Sequence, residues 1–210
     1  MRARLLLANG LSHRYRNLAV WDSFRVSARV WSFDSFGGGS ETVIRLFGEV
    51  QESITDGPGM RYAIFTQGCP HYCVGCHNPE SHSFTDGYLV EADDIIRRIR
   101  RNPLLDGITL SGGEPFMQAD ELWKVAKAAQ EAGLSVITFS GYTFEELLEH
   151  ATGRKGYTEL LSYTDILIDG KFEIEHKSLD LRFRGSTNQR AIDVQKSLEE
   201  GRIVLYDLWN

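Results

Sequence analysis

Apolar residues fall into two kinds of segment from residue 43 onward, short continuous runs and longer stretches with a helical period. The short runs are rich in β-branched and aromatic residues, which is typical of buried strands, whereas apolar residues three and four positions apart indicate helices. The predicted strands cover residues 43–50, 61–66, 107–111, 134–140 and 165–169. The predicted helices cover residues 91–101, 118–132, 143–150 and 157–161. This alternation predicts an α/β fold built of βα units around a mainly parallel sheet.

The loop after the second predicted strand contains all three cysteines of the chain, Cys69, Cys73 and Cys76, in the spacing C-x3-C-x2-C. Three thiols cannot all pair in disulfides, so the loop is predicted to hold a metal. Electron-transfer clusters usually have four cysteine ligands, whereas three thiolates on a [4Fe–4S] cluster leave one iron open to bind a substrate. The loop follows the carboxyl end of a strand, where catalytic groups gather in barrel-like α/β folds.

A zinc site is the alternative for the same loop, with the three cysteines and one of His71, His77 or His82 as ligands. A closed Cys3His tetrahedron is a normal structural zinc arrangement. Zinc modules usually divide their ligands into two separated pairs, so the compact spacing favours the cluster.

Polar loops also follow the predicted strands that end at residues 111 and 169. In the turn Gly112–Pro115, two glycines let a ligand approach the backbone closely, although an ordinary βα turn has the same pattern. Asp169 and Lys171 are predicted to lie on the same rim of the sheet, and a surface salt bridge is the alternative. The polar segment 184–193 is unlike a core element, which indicates either a helix-entry loop or a contact near the rim.

Other catalytic patterns do not stand out. The sequence shows no defensible Ser-His-Asp set, phosphate-binding P-loop or pair of catalytic carboxylates. The remaining histidines, His13, His150 and His176, have no ligand-like neighbours and are predicted to be surface residues.

Charge divides the 210 residues into two unequal parts. Of the 23 basic and 29 acidic residues, six and three lie in residues 1–42, which leaves 17 basic and 26 acidic residues in 43–210. An acidic body argues against nucleic acid as the main partner. The chain has no apolar run long enough to cross a bilayer, so no membrane association is predicted. Reactive-looking thiols and the lack of a secretory apolar region indicate the cytoplasm.

Residues 1–42 show no sustained period and end in a Gly-Gly-Gly-Ser stretch. They are rich in Arg and poor in acids, so a targeting peptide is one interpretation. A flexible, non-native extension read from a start codon chosen too early is the interpretation we favour, with Val43 as an alternative start. The sequence therefore predicts one folded domain over residues 43–210.

Six motifs occur in a fixed order over about four-fifths of the chain, and together they resemble a known family. They are DGPG-M-R (Asp56 to Arg61), TQGCPHYCVGCHNPE (Thr66 to Glu80), SGGEP (Ser111 to Pro115), SGYTFEEL (Ser140 to Leu147), IDGKFE (Ile168 to Glu173) and RGSTNQRAIDV (Arg184 to Val194). From Val43 onward the chain resembles the radical S-adenosylmethionine (SAM) glycyl-radical activases, and among them the activators of anaerobic ribonucleoside-triphosphate reductase. Many radical SAM enzymes have an aromatic residue before the third cysteine, whereas this chain has Gly75, as do the close activase relatives.

The resemblance implies a fold and a set of site residues. The implied fold is a partial (open) βα barrel of the radical SAM type. The implied cluster ligands are Cys69, Cys73 and Cys76. The implied SAM-binding residues are Gly75, Cys76, His77, Gly112, Gly113, Glu114, Asp169 and Lys171, of which the last two suit the ribose hydroxyls and the carboxylate of SAM.

The resemblance also implies a reaction and its partners. A reduced [4Fe–4S] cluster would cleave SAM to methionine and a 5′-deoxyadenosyl radical, which removes a hydrogen atom from a glycine of the reductase. The implied partners are the glycyl-radical subunit of anaerobic ribonucleoside-triphosphate reductase and reduced flavodoxin or a similar electron donor. Two alternatives stay open: an activase of another glycyl-radical enzyme, such as pyruvate formate-lyase, and a zinc-binding module without catalysis.

Overall fold

A computed structural model of the chain describes residues 42–208. The extension predicted for residues 1–42, together with His13, lies outside these residues except for Thr42. The carbonyl of Thr42 accepts a hydrogen bond from the backbone N–H of Ala92 at 2.8 Å, and its hydroxyl accepts one from Lys124 Nζ at 2.6 Å. Thr42 therefore contacts the folded body directly.

Seven strands of the described residues form one open sheet in the order β3-β1-β2-β4-β5-β6-β7. Their bounds are β1 Val43–Ser53, β2 Arg61–Thr66, β3 Tyr88–Glu91, β4 Gly107–Gly112, β5 Ser135–Phe139, β6 Ile166–Asp169 and β7 Arg190–Asp193. The four central strands β2, β4, β5 and β6 are parallel. Strand β1 runs antiparallel to both β2 and β3, and β7 runs antiparallel to β6. The predicted α/β fold with a mainly parallel sheet is confirmed in its central strands.

Helices follow the parallel strands as βα units require. Within residues 42–208 the α-helices are α1 Ala92–Arg101, α2 Ala119–Glu131, α3 Phe144–His150, α4 Lys155–Ser162 and α5 Val194–Glu200. Thr143 caps α3 through a capping box, in which its hydroxyl accepts from the backbone of Glu146 while the Glu146 carboxylate accepts from the backbone of Thr143. Short 3₁₀ turns cover Pro79–His82, Pro115–Gln118 and Ile174–His176.

Alternate residues of the central strands pack on opposite faces of the sheet, as the period of a strand requires. On the face covered by helices, Ile64, Leu110 and Leu167 belong to the main apolar core. On the other face, Ile137 and Ile168 pack with Leu208 from the end of the described chain. Phe139, which packs against this second cluster at the carboxyl end of β5, also lines a cavity.

A buried arginine holds the opposite, amino-terminal ends of three parallel strands. Arg61 of β2 is fully buried and donates to the hydroxyl of Thr109 in β4 at 3.1 Å and to the hydroxyl of Ser135 in β5 at 2.7 Å. Burial lowers the pKa of Arg61 to about 10. The acceptors in these bonds are neutral oxygens. The guanidinium therefore joins the strand ends through hydrogen bonds to neutral groups rather than to a carboxylate.

Three elements differ from the sequence prediction. Strand β3 and helix α5 were not predicted, and Arg190–Asp193, predicted as part of a polar segment unlike a core element, forms strand β7 with Ala191 and Ile192 buried. A four-residue strand with two apolar residues carries too little periodicity to be recognised alone. No helix within residues 42–208 is long and apolar enough to span a bilayer.

Candidate functional site

A cavity of about 600 Å³ opens at the carboxyl ends of the parallel strands. Its walls come from the cysteine loop and from the ends of β2, β4 and β5. Six residues of the segment after β6 complete them: Gly170, Phe172, Phe183, Arg184, Gly185 and Gln189. Because neighbouring parallel strands end at the same edge, the loops that follow them meet there. The cavity therefore gathers most of the loops that the sequence singled out.

All three thiols line this cavity, in different environments. Cys69 is buried, whereas Cys73 and Cys76 are partly exposed. Burial raises the pKa of Cys69 to about 11 and raises the pKa of Cys73 as well. A bound metal reverses this effect because it stabilises the thiolate that coordinates it.

Backbone contacts shape the cysteine loop. The N–H of Cys69 donates to the carbonyl of His82 at 3.1 Å, and the N–H of Cys76 donates to the carbonyl of Cys73 at 3.2 Å. The N–H of Asn78 donates to Sγ of Cys76 at 3.4 Å, and hydrogen bonds of this type stabilise a thiolate. Gly75 has a φ of +74° and Tyr72 has a φ of +48°, and the second value is uncommon for a residue with a side chain.

The donor set fits a cluster better than a single zinc ion. Three thiols face one cavity large enough for a multi-atom group. In the described part of the chain, no three or more His, Cys, Asp or Glu side chains are arranged to hold a single metal ion. Cysteine thiolates are the usual ligands of [4Fe–4S] clusters.

The turn after β4 lies against the cysteine loop. Gly112 has a φ of +92°, and a Cβ there would meet the Cα of Phe65 at 2.6 Å. A Cβ at Gly113 would lie 2.5 Å from the carbonyl oxygen of Gly68. Both glycines line the cavity, and the close approach that they allow includes an approach between two protein backbones.

Glu114 does not line the cavity. Its side chain is fully buried and accepts hydrogen bonds from Nε2 of His71, from the hydroxyl of Ser140, and from the backbone N–H groups of Gly141 and Phe116, at 2.8 to 3.1 Å. The carboxylate of this residue, predicted to bind SAM, is therefore occupied by protein donors.

Asp169 does not line the cavity either. It is buried, and its two oxygens accept from the guanidinium of Arg190, one of them at 3.0 Å. One oxygen also accepts from the N–H of Phe144 at 2.7 Å, at the start of α3. Lys171 is exposed beyond the end of β6 and lies outside the cavity wall. Asp169 therefore pairs with Arg190, whereas the predicted alternative was a surface salt bridge of Asp169 with Lys171.

The other predicted site residues divide between wall and rim. Cys76 and His77 line the cavity, and the His77 ring lies 5.4 Å from the ring of Phe172. Gly75 is exposed and lies beside the wall, where a Cβ would meet Cδ1 of Ile174 at 2.8 Å.

Comparison with known proteins shows the family to which the chain belongs. A family described as "4Fe-4S single cluster domain" matches residues 55–192. The anaerobic ribonucleoside-triphosphate reductase-activating protein of Haemophilus influenzae is 36% identical over 146 residues, which cover 65% of this chain and 89% of that protein. The protein of the same name from Vibrio cholerae is 35% identical over 149 residues, with the same two coverages. This chain belongs to that family of reductase-activating proteins.

A second kind of activase is also similar. The pyruvate formate-lyase-activating enzyme of Clostridium pasteurianum is 32% identical over 129 residues, which cover 59% of this chain but 49% of that enzyme. The chain therefore covers a larger share of the reductase-activating proteins than of this enzyme. The range that matches the 4Fe-4S family, 55–192, contains every residue that lines the cavity.

Sequence patterns missed several residues of the activase cavity. Thr55 and Asp56 belong to the turn between β1 and β2, which was interpreted as a tight loop or a family motif, and they line the cavity. This turn joins the end of β1 to the start of β2, at the edge of the sheet opposite the carboxyl ends of the parallel strands. No local pattern in the sequence could therefore show that the turn reaches the cavity. Arg184, Gly185 and Gln189 line it as well, which agrees with a contact near the rim.

Two histidines differ from their predicted places. His150, predicted as a surface residue, is half-buried, with its ring 5.0 Å from the ring of Tyr142 and 6.1 Å from that of Tyr157. A single histidine near a helix end belongs to no repeating apolar pattern, so the sequence could not show that it is partly buried. His176 is exposed, as predicted, and pairs with Glu173 at 2.7 Å.

Proposed function

We propose that this chain activates anaerobic ribonucleoside-triphosphate reductase by generating a glycyl radical on it. The observation that supports this most directly is the convergence of Cys69, Cys73 and Cys76 on one open cavity, in a chain of the reductase-activating family. When bound there, a [4Fe–4S] cluster with SAM supplies a one-electron reductive cleavage that yields methionine and a 5′-deoxyadenosyl radical.

The residues of the chain hold and orient these groups. Cys69, Cys73 and Cys76 are the three cluster ligands, which leaves one iron open for SAM. Gly112 and Gly113 line the cavity and have no side chains, so the methionine part of SAM could approach their backbone closely.

A second set of residues lies around the SAM site. Cys76 and His77 contact SAM from the cavity wall, and Gly75 does so from beside it. Lys171, exposed at the rim, suits the carboxylate of SAM. Glu114 and Asp169 are left out of this set because protein donors already occupy their carboxylates.

Four broader assignments accompany the function. The sheet forms a partial βα barrel of the radical SAM type, with the cavity at its open end. Residues 43–210 form the activase domain, with residues 1–42 as an extension. The activase works in the cytoplasm, and its electron donor is reduced flavodoxin or a similar protein.

The test uses anaerobically reconstituted full-length protein, reduced and mixed with SAM and the anaerobic reductase. We expect an electron paramagnetic resonance (EPR) doublet on the reductase, with 5′-deoxyadenosine formed alongside. A reductase whose radical-bearing glycine is replaced by alanine serves as the control, because it has no glycine to carry the radical and should give no doublet.

Three outcomes would contradict the proposal. A radical formed on pyruvate formate-lyase and never on the reductase would assign the chain to that other class of activase. Intact, reduced cluster that leaves SAM uncleaved would remove the enzymatic assignment. Stoichiometric zinc, with no broad visible absorption after reconstitution, would favour the zinc module.

A further inference from the structure

Glu114 lies at the meeting point of three loops around the cavity. It belongs to the turn after β4, and it accepts from Ser140 and Gly141 in the loop after β5 and from His71 in the cysteine loop. The side chain of Glu114 is fully buried. A buried carboxylate is costly unless several donors satisfy it, so each of these bonds matters to the arrangement.

His71 is the residue of the cysteine loop that bonds to Glu114. It lies between Cys69 and Cys73, and its side chain is 6% exposed. Its Nε2 lies 2.9 Å from Oε2 of Glu114, and its ring packs edge-on against the ring of Tyr142 at 4.4 Å. An ionised carboxylate can only accept, so Nε2 carries the hydrogen of this bond.

The neighbouring glycine leaves room for this histidine. A Cβ at Gly141 would overlap the imidazole ring of His71. The φ of Gly141 lies outside the left-handed region, so its backbone conformation does not itself require glycine. The glycine at this position is therefore explained by the space that the His71 ring occupies.

The segment that His71 anchors is strained. Its neighbour Tyr72 has a φ of +48°, in the left-handed region that residues with a side chain rarely adopt. Such a conformation persists only where surrounding contacts hold it in place. The bond from His71 to Glu114 and the packing of His71 on Tyr142 are contacts of this kind.

We propose that His71 and Glu114 form a positioning pair that fixes the distance between the cysteine loop and the Gly112–Gly113 turn. His71 lines the cavity and Glu114 does not, and the role of the pair is to position the two loops rather than to take part in the chemistry. The pair holds the segment between the first two cluster ligands against the turn proposed to bind SAM. This inference rests on the proposed function for the identity of the groups held, and on the geometry above for the link itself.

The first test is a double-mutant cycle on the reconstituted holoprotein, with His71→Phe and Glu114→Gln. The readouts are the rate of iron loss to a chelator under anaerobic conditions and the change in the EPR signal of the reduced cluster on adding SAM. Each single variant should lose iron about tenfold faster, because a hydrogen bond to a buried charged group is removed. The double variant should lose iron no faster than the worse single variant, since both substitutions remove the same link.

Two further variants separate positioning from general destabilisation. His71→Gln, which can present an N–H near the same place, should restore slow iron loss in part, whereas His71→Phe should not. The exposed pair His176 and Glu173 is a matched control, because it has the same chemistry at 2.7 Å on the surface. His176→Phe and Glu173→Gln should leave iron loss and the SAM-dependent EPR change as in the wild type.

A clash test keeps the inference decisive if Glu114→Gln does not fold. Gly141→Ala should speed iron loss in the wild-type background, because the added Cβ displaces the His71 ring. The same substitution should have no further effect in a His71→Ala background, where the ring is gone.

Hydrogen exchange on the apoprotein separates failure of this inference from failure of the proposed function. The backbone of residues 68–76 should exchange faster in His71→Phe and Glu114→Gln than in the wild type, whichever metal the loop binds. Unchanged exchange would overturn the pairing, and so would additive effects in the cycle. One more outcome would overturn the pairing: Glu114→Gln loses the SAM-dependent EPR change but keeps its iron, while His71→Phe behaves as the wild type. That outcome would make Glu114 a direct SAM ligand.

Discussion

At the scale of single residues, the three thiols of the cavity start from unequal environments. Cys69 is buried with a pKa raised to about 11, and burial also raises the pKa of the partly exposed Cys73. Only thiolates bind metal, so the free loop resists ionisation at neutral pH and the bound metal must offset that cost. The three positions are therefore not equivalent before the metal enters.

Replacing any one of the three cysteines by alanine is expected to abolish SAM cleavage, because two thiolates cannot hold the cluster in its three-ligand form. The measurement is iron and sulfide content after anaerobic reconstitution, together with formation of 5′-deoxyadenosine. Full iron content and cleavage in Cys76→Ala would show that this thiol is not a ligand.

Arg190→Gln is expected to lower the free energy of unfolding by about 3 kcal/mol, because it leaves the buried carboxylate of Asp169 without its charged partner. Urea denaturation measures the change. Arg202, which pairs with Glu200 on the surface at 2.5 Å, is the matched control, and Arg202→Gln should change stability by less than about 0.5 kcal/mol. Equal effects of the two substitutions would show that the Asp169 bond adds nothing beyond a surface pair.

At the scale of elements, the glycine turn after β4 links the sheet to the cysteine loop. The N–H of Gly113 donates to the carbonyl of Thr66 at 2.8 Å, and the N–H of Glu114 donates to the carbonyl of Gly68 at 2.9 Å. The turn and the start of the cysteine loop therefore share backbone hydrogen bonds. A change in one is expected to move the other.

Gly113→Ala tests this link. The new Cβ would lie 2.5 Å from the carbonyl oxygen of Gly68, so the cysteine loop must shift, at a cost of about 2 kcal/mol. We expect lower thermal stability and weaker cluster retention as well as weaker SAM binding. Gly48→Ala in β1 is the control, because a Cβ there meets nothing within 4 Å. Weaker SAM binding with normal cluster retention would mean that the glycine serves the ligand alone.

At the scale of the whole molecule, the cavity is formed by residues from many parts of the described range, 42–208. The residues that line the cavity run from Thr55 to Gln189. The first strand starts at Val43, and Ile44 is fully buried in it. Residues 1–41 lie before all of these contacts.

Deleting residues 1–41 is expected to leave the thermal midpoint, iron content and activity unchanged, since Thr42 keeps its bonds to Ala92 and Lys124. Deleting residues 1–44 is the comparison, and it should destabilise the protein by about 3 kcal/mol or more through loss of Ile44 from the core. Thermal unfolding of the two truncated proteins measures the difference. A shorter deletion that fails to fold would place the extension within the core.

The sequence by itself determined the main elements and the chemistry of the metal loop. Apolar patterns marked the four parallel strands and helices α1 and α2, because such patterns follow directly from which face of an element is buried. The spacing of Cys69, Cys73 and Cys76 indicated the cluster for an equally local reason, since all three cysteines lie within eight residues. Loops after parallel strands were expected on one rim, and the cavity lies there.

Only the tertiary structure decided which way the polar side chains of that rim point. Glu114 and Asp169 were expected in the SAM site, yet their carboxylates are taken up by His71 and Arg190, which lie 43 and 21 residues away in the chain. The position of a loop at the end of a strand follows from the order of elements. The direction of a buried carboxylate follows from which donors surround it, because a buried charge must be satisfied by whatever groups the fold brings within reach.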